Sequence, residues 1–390
     1  LDAESAARSI AVLRLGWEHL ALRPGMRVRM EGEGGTWTVR RWQLGPAIVD
    51  LELARVPDPQ TSSIAANPGR SLAAPDLVHG PTTLCVFEAP LPGYPDAARL
   101  FAAAAGASAG WRRAALLVST DGGINWEDGG HTAEPAILGP VLTTLPAAPA
   151  ALFDRRSSVE VELLNDGMWL ESRPDAALGG GANLALLGSE LVQFGRAEQT
   201  GERRFRLSRL LRGRLGTEGA VSGHAPGEAF VRIDPQTLTM LPMPIAAIGA
   251  TVLVTAAGLG DPIEGVRAER PFAGEALRPL MPCHLAAATD AAGDLLMTWA
   301  RRSRAGFEWA NGRDVPLGEE QEKYLVSVAA AGGARSFEVT EQRLLYPSAE
   351  QAADAIAPPL IIAVAQVGTY ATSRPAVLVF GSPSNEEQSS

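Results

Sequence analysis

The stretch at residues 186–217, LLGSELVQFGRAEQTGERRFRLSRLLRGRLGT, limits the fold more than any other part of the chain. It predicts two strands and the turn between them. Over residues 187–196, Val192 and Phe194 share one face while Leu191 and Gln193 share the other. That is the period of a strand. Residues 197–201 are polar and end in Gly201, which suits a hairpin loop. Residues 205–211 predict the return strand, with Phe205, Leu207 and Leu211 at period two. Arg212-Gly-Arg-Leu-Gly-Thr217 follows, and its two glycines let the chain leave the sheet through conformations closed to other residues.

Strands are also expected at residues 26–30, 36–42, 48–56, 83–89, 112–120, 124–127, 136–145, 158–164, 229–233, 241–260 and 266–272, with clear alternation over 158–164. One helix is expected near the start, over residues 2–22. Ala6, Ile10, Leu13 and Trp17 recur there at helical spacing, and Asp2 is placed to cap the first turn. Residues 57–81, rich in Pro, Ser, Ala and Asn, read as a linker or irregular crossover. The alanine-rich residues 97–109 read as a short helix or a loop. From residue 283 strands are expected at 284–288, 295–301, 322–329, 336–345, 360–367 and 376–380, and the last ten residues are expected to fray. With Trp299 in the second of these strands and Tyr324 in the third, the segment resembles a fibronectin type III sandwich. The fold class expected is mainly β: several β-sandwich or barrel-like domains, one N-terminal helix and a C-terminal fibronectin type III-like sandwich. Four domains are expected, at 1–57, 58–150, 151–281 and 282–381.

Bulk properties exclude several roles. Hydrophobic residues at 46% and charged residues at 20% are globular values. The net charge of −10 argues against any role that depends on neutralising nucleic-acid phosphates. No apolar run is long enough to cross a bilayer. Cys85 and Cys283 lack the spacing of a metal site or redox pair. They read as two buried free thiols, with a disulfide between them left open. The chain starts with Leu, so a piece of a longer protein is expected, with room for a catalytic domain upstream.

Each candidate for chemistry has a structural reading beside it. Ser119-Thr-Asp-Gly-Gly-Ile-Asn-Trp126 is close to the Asp-box of β-propellers, with Asn125 where Thr is usual. Ser119, Asp121, Gly123 and Trp126 are read as a tight hairpin, because the motif places side-chain bonds on turn amides and no catalytic group. Arginines at 203, 204, 206, 209, 212 and 214 form the densest basic cluster. Only Phe205 is available for base stacking, so a protein interface made by Arg204, Arg206, Arg209, Arg212 and Arg214 is favoured over a solvated strand or a nucleic-acid surface. His19, His79, His131, His224 and His284 have no metal spacing and read as satisfied or exposed. Glu160 and Glu162 share a strand face and read as solubilising. A glycosidase would need two carboxyls about 5–10 Å apart across a cleft. Trp37, Trp42, Trp111, Trp126, Trp169 and Trp309 read as core or hairpin residues, with one or two left for contacts such as sugar stacking. No nucleotide or hydrolase fingerprint and no cofactor site is found.

The order S-E-L-V-Q-F-G-x-A, a polar gap, then L-S-x-L-L-R-G-R-x-G-T resembles the tail-tip proteins of siphophages and of the gene transfer agents of alphaproteobacteria. Arg23-Pro-Gly-Met26, with Met where an acid is common, and the segment from Arg301-Arg-Ser-Arg304 through Trp309 to Val315-Pro-Leu-Gly-Glu-Glu320 resemble the same proteins. The resemblance implies a non-enzymatic structural component of a tail tip or baseplate, assembled in the bacterial cytoplasm. It implies contacts with other tail proteins, a homotrimer in the full assembly, and a receptor or cell-surface glycan as outward partner. A carbohydrate-binding module for cell-surface glycan, independent of or within such a particle, or the non-catalytic part of a glycoside or peptidoglycan hydrolase, is the alternative.

Overall fold

The computed structural model describes residues 9–46, 48–56, 79–92, 97–108, 110–304 and 315–381. These fall into two compact units divided between Pro75 and Asp76. Residues 57–78 of the expected linker, residues 2–8 of the expected helix, Trp309 and the tail from 382 lie outside the described residues. No described helix is long and apolar enough to cross a membrane.

The first unit is one antiparallel sheet of β1 (Ile10–Leu15), β2 (Arg27–Val28), β3 (Thr36–Gly45) and β4 (Ile48–Val56), in the order β1-β4-β3-β2. Trp37, Val39, Val49, Leu51 and Leu53 are its core. The helix expected over residues 2–22 is overturned where the chain is described. Ile10–Leu15 pairs antiparallel with β4 and turns Ala11, Leu13 and Leu15 inward, and only a short turn at Trp17–His19 is helical. The sequence IAVLRL fits both periods, and its β-branched Ile and Val favour the strand once a partner strand is present.

The second unit begins with β5 (Thr82–Phe87), β6 (Arg99–Gly106), β7 (Ala114–Ser119) and β8 (Glu127–His131). The chain then makes β9 (Leu138–Pro140), β10 (Phe153–Glu162), β11 (Leu184–Leu187), β12 (Glu190–Gly201), β13 (Arg204–Leu211) and β14 (Ala229–Arg232). It returns as β15 (Leu238–Pro242), β16 (Thr251–Gly258) and β17 (Val266–Pro271). Pairing shows what belongs together. β15-β6-β5 is one sheet and β17-β16-β7-β8 another, so strands from both flanks of β9 to β14 build a single sandwich. The boundary expected between residues 150 and 151 therefore does not divide the chain. β9 to β14 are an insert between the fourth and fifth strands of a split sandwich.

The insert is a small closed barrel. Its sheet runs β10-β13-β12-β11-β14-β9. The ends are joined by the bridge Val141↔Val161, by Leu142 N–H donating to the Glu160 carbonyl at 2.7 Å and by Leu164 N–H donating to the Leu138 carbonyl at 3.0 Å. Closure leaves no free sheet edge. At the seam the backbones come so close that a Cβ on Gly139 would overlap the carbonyl oxygen of Glu162. The hairpin expected to loop at residues 197–201 keeps those residues in β12 and turns instead at Glu202-Arg203, with Arg203 at φ 59°.

The alanine-rich segment is a strand over Arg99–Gly106, where a short helix or a loop was expected; Ala109 lies outside the described residues. β6, RLFAAAAG, is buried at every position. Leu100, Ala102 and Ala104 pack into the sandwich core, while Phe101, Ala103 and Ala105 pack into the barrel core. A strand covered on both faces by close-set layers leaves room for methyl groups and little more, so small side chains stand where alternation would otherwise be read.

The C-terminal sandwich consists of β18 (Cys283–Thr289), β19 (Leu295–Ala300), β20 (Tyr324–Ala330), β21 (Gly333–Val339), β22 (Arg343–Tyr346), β23 (Leu360–Gln366) and β24 (Ala376–Phe380). Its sheets are β18-β19-β22 and β21-β20-β23-β24. The single strand expected over 336–345 is two strands, because the chain bends after Val339 and crosses from one sheet to the other. This is a fibronectin type III arrangement. Trp299 on β19 and Tyr324 on β20 meet edge to face, with ring centroids 5.3 Å apart, inside one core. The split sandwich has the same topology. In both, the first, second and fifth strands form the smaller sheet, and the fourth, third, sixth and seventh form the larger.

Candidate functional site

The densest polar chemistry lies beneath the arginine hairpin, where β12 and β13 bring Glu190 and Arg212 together inside the protein. Both side chains are 0% exposed. Glu190 Oε1 accepts from Arg212 Nε at 2.9 Å and from Gly213 N–H at 2.6 Å, and Oε2 accepts from Arg212 Nη2 at 2.8 Å. Arg212 also donates to the carbonyls of Pro146 and Val221, each at 2.8 Å, and stands 3.6 Å from Asp154 Oδ2. His224, nearly buried, bridges Glu190 Oε2 through Nε2 and Glu228 Oε2 through Nδ1, both at 2.7 Å. A fork of donors on a buried carboxylate, with its remaining groups matched to carbonyls, meets the conditions for a tolerable interior ion pair.

Local backbone explains the LLRGRLGT letters. After β13 the chain reverses over the network. Gly213 has φ 56° and a Cβ there would press on Glu218 Cα, so the Gly213 amide can point at Glu190 only if the residue has no side chain. Thr217 Oγ donates to the Arg214 carbonyl at 2.8 Å and accepts from Leu191 N–H at 2.9 Å, tying the loop back to β12.

Charge in the network is balanced by contact. Burial pushes the Glu190 carboxyl up, but bonds from His224, Arg212 and the Gly213 amide outweigh it and hold the group below the ordinary carboxylate range. His224 is raised above its ordinary 6.5, first by its bond to Glu190, against burial, and then by Glu228. The sign of the pH effect follows. A raised imidazole contributes stability that is complete below its unfolded pKa of about 6.5 and is lost as pH rises through the higher folded value. A lowered carboxyl contributes stability that is complete above its unfolded pKa of about 4.3 and is lost as pH falls through the folded value. Urea unfolding from pH 5 to 9 is expected to show barrel stability declining above pH 6.5 in the native chain. His224→Gln is expected to remove that decline.

The residues expected to form an interface divide. Arg212 is corrected outright, since a fully buried side chain presents no surface. Arg214 is half-buried and donates to Gln193 Oε1 at 2.8 Å. Arg204, Arg206 and Arg209 are exposed, but each already has a carboxylate: Glu162 at 3.0 Å, Glu160 at 2.9 Å and Asp175. Glu160 and Glu162 thus sit in cross-strand ion pairs. His224 is a satisfied histidine, one of the two readings expected for it, but its partners Glu190 and Glu228 were missed. A carboxylate 34 residues before the histidine and another four after it match no known spacing, and only the closed barrel joins them.

Elsewhere, Ser119 to Trp126 turns β7 into β8. Ser119 Oγ donates to Asp121 Oδ1, the amides of Ile124 and Asn125 donate to Asp121, and Trp126 Nε1 donates to the Gly123 carbonyl, with Gly123 at φ 90°. The Asn125 amide bonds bring the Asp121 carboxyl down to about 2. Cys85 and Cys283 are both free, and each is half-buried where full burial was expected. Trp37 and Trp111 are buried, Trp42 and Trp126 are half-buried, and Trp169 is 54% exposed, edge-on to Phe205 at 5.0 Å.

A family model described as Rcc01698-like, C-terminal matches residues 136–231, the span of the inserted barrel. No curated protein matches the chain. Among solved structures, the FN1–FN3 domains of chicken CNTN1 are similar at 10% identity, covering 77% of this chain and 99% of that one with a TM-score of 0.18. The two-domain fibronectin type III segment of chicken tenascin is similar at 9% identity, covering 63% and 99% with a TM-score of 0.20. The fibronectin type III character of the two sandwiches rests on their own strand order.

Proposed function

We propose that the chain is a structural component of a phage-like tail tip or baseplate, of gene transfer agent or prophage type. It links the distal tail to fibre or receptor-binding proteins and acts by assembly, without turnover. The observation that carries this reading is the use made of the shared words. S-E-L and L-L-R-G-R-x-G-T supply Glu190, which accepts from Arg212 and the Gly213 amide, and Thr217, which accepts from Leu191 N–H. What the tail-protein resemblance picks out is therefore a device that stiffens a barrel. That barrel shares a core with β6 of the split sandwich, so the two behave as one stiff body suited to bearing load between neighbours. Within the full assembly we place the chain in a three-fold ring about the tail axis.

The test is to tag the protein in its producing cell and purify extracellular particles. Gold-labelled antibody is expected at the distal end of the tail, and deletion is expected to abolish complete particles. A tagged protein that never co-sediments with particles would remove the proposal.

A further inference from the structure

β17 carries an arginine where its sheet calls for an apolar side chain. Alternation turns Val266, Ala268 and Arg270 to the inner face, and Arg270 is in register with the fully buried Val252. Its Nε is shut away from solvent without a hydrogen-bond partner, and no ion pair reaches the guanidinium among the described residues. Two cavities, of about 290 Å³ and 440 Å³, are both lined by Arg270 and Ser189. They lie where the barrel meets the split sandwich.

The carboxylates near Arg270 are engaged elsewhere. Glu88 accepts from the amides of Ala273 and Glu275, each at 2.7 Å. Glu218 pairs with Arg302 at 2.7 Å, Glu275 with Arg278 at 3.2 Å, and Glu228 with His224. The positive charge of Arg270 is still felt locally, since it opposes the burial that raises both the Cys85 thiol and the Glu88 carboxyl. A half-buried guanidinium beside open space, without a counter-ion in contact, has a donor fork that matches a planar or tetrahedral oxyanion. Unsatisfied interior donors call for a partner.

We propose that Arg270 anchors a small oxyanion, the carboxylate or phosphate group of a small molecule, held between the barrel and the split sandwich. The site goes beyond the scaffold role and stands or falls separately from it.

Cys85 lines the larger cavity and reports on its occupancy. The experiment measures methyl methanethiosulfonate labelling of Cys85 and Cys283 on the whole chain, resolved by peptide mass. Inorganic phosphate, acetate and chloride are compared at constant ionic strength. Phosphate or acetate at roughly ten times its Kd is expected to slow Cys85 labelling about tenfold and leave Cys283 unchanged. Protection by phosphate alone identifies a phosphate site, and protection by acetate alone a carboxylate site. Arg270→Gln is expected to abolish protection. If that variant fails to fold, Arg270→Lys replaces it, keeping the charge while losing the fork, and weaker protection is expected. Equal effects on both cysteines, no effect of either anion, or protection that survives Arg270→Gln would overturn the proposal and leave Arg270 as a hydrated side chain.

Discussion

Arg212→Ala is expected to destabilise the inserted barrel by about 3–5 kcal/mol, because it strips a buried carboxylate of its cation and leaves that charge in place. Glu190 would keep only His224 and the Gly213 amide, and the carbonyls of Pro146 and Val221 would lose their donor. Arg204→Ala is the contrast. Its partner Glu162 is a half-exposed surface carboxylate, so about 0–1 kcal/mol is expected. Hydrogen exchange read peptide by peptide measures both. Arg212→Ala should speed exchange across β10 to β13 by about two to four powers of ten while leaving β20 and β23 unchanged. The double variant Arg212→Met with Glu190→Leu is expected to be less damaged than Arg212→Ala, since it removes the stranded charge. Arg212→Ala no worse than Arg204→Ala would mean that the network does not hold the barrel.

That prediction also marks how far the letters could be read. Strand periodicity in β12 and β13 was visible, because Phe205 and Leu207 face a core and their neighbours face water. The role of Arg212 was hidden. Counted with Arg204, Arg206 and Arg209 it looked like one more surface cation, yet it lies just past the strand, where the chain folds back over Glu190. Periodicity describes a face and says nothing about what covers it. The same limit concealed the domain plan. β8 and β15 are separated by the whole barrel, and only pairing across that gap reveals one sandwich. It also concealed that the two sandwiches share a topology, because they share strand order without any repeated letters.

β6 and β19 make the point testable, since both are second strands of the smaller sheet. In β19, LLMTWA, Leu295, Met297 and Trp299 are buried while Leu296 and Thr298 are exposed, so one face meets solvent and alternation survives. In β6 both faces are covered and alternation is gone. Ala102→Leu should force added carbon into the sandwich core, and Ala103→Leu should force it into the barrel core. Overpacking of this kind costs about 1–3 kcal/mol or more at each site. Thr298→Leu on β19 should fall within about 0.5 kcal/mol of the native chain. Urea unfolding of the three variants decides it. A half-exposed β6 would tolerate one of the two alanine changes. A strand pressed between two cores tolerates neither, and small side chains at Ala102 to Ala105 are then the condition for seating a barrel against a sandwich.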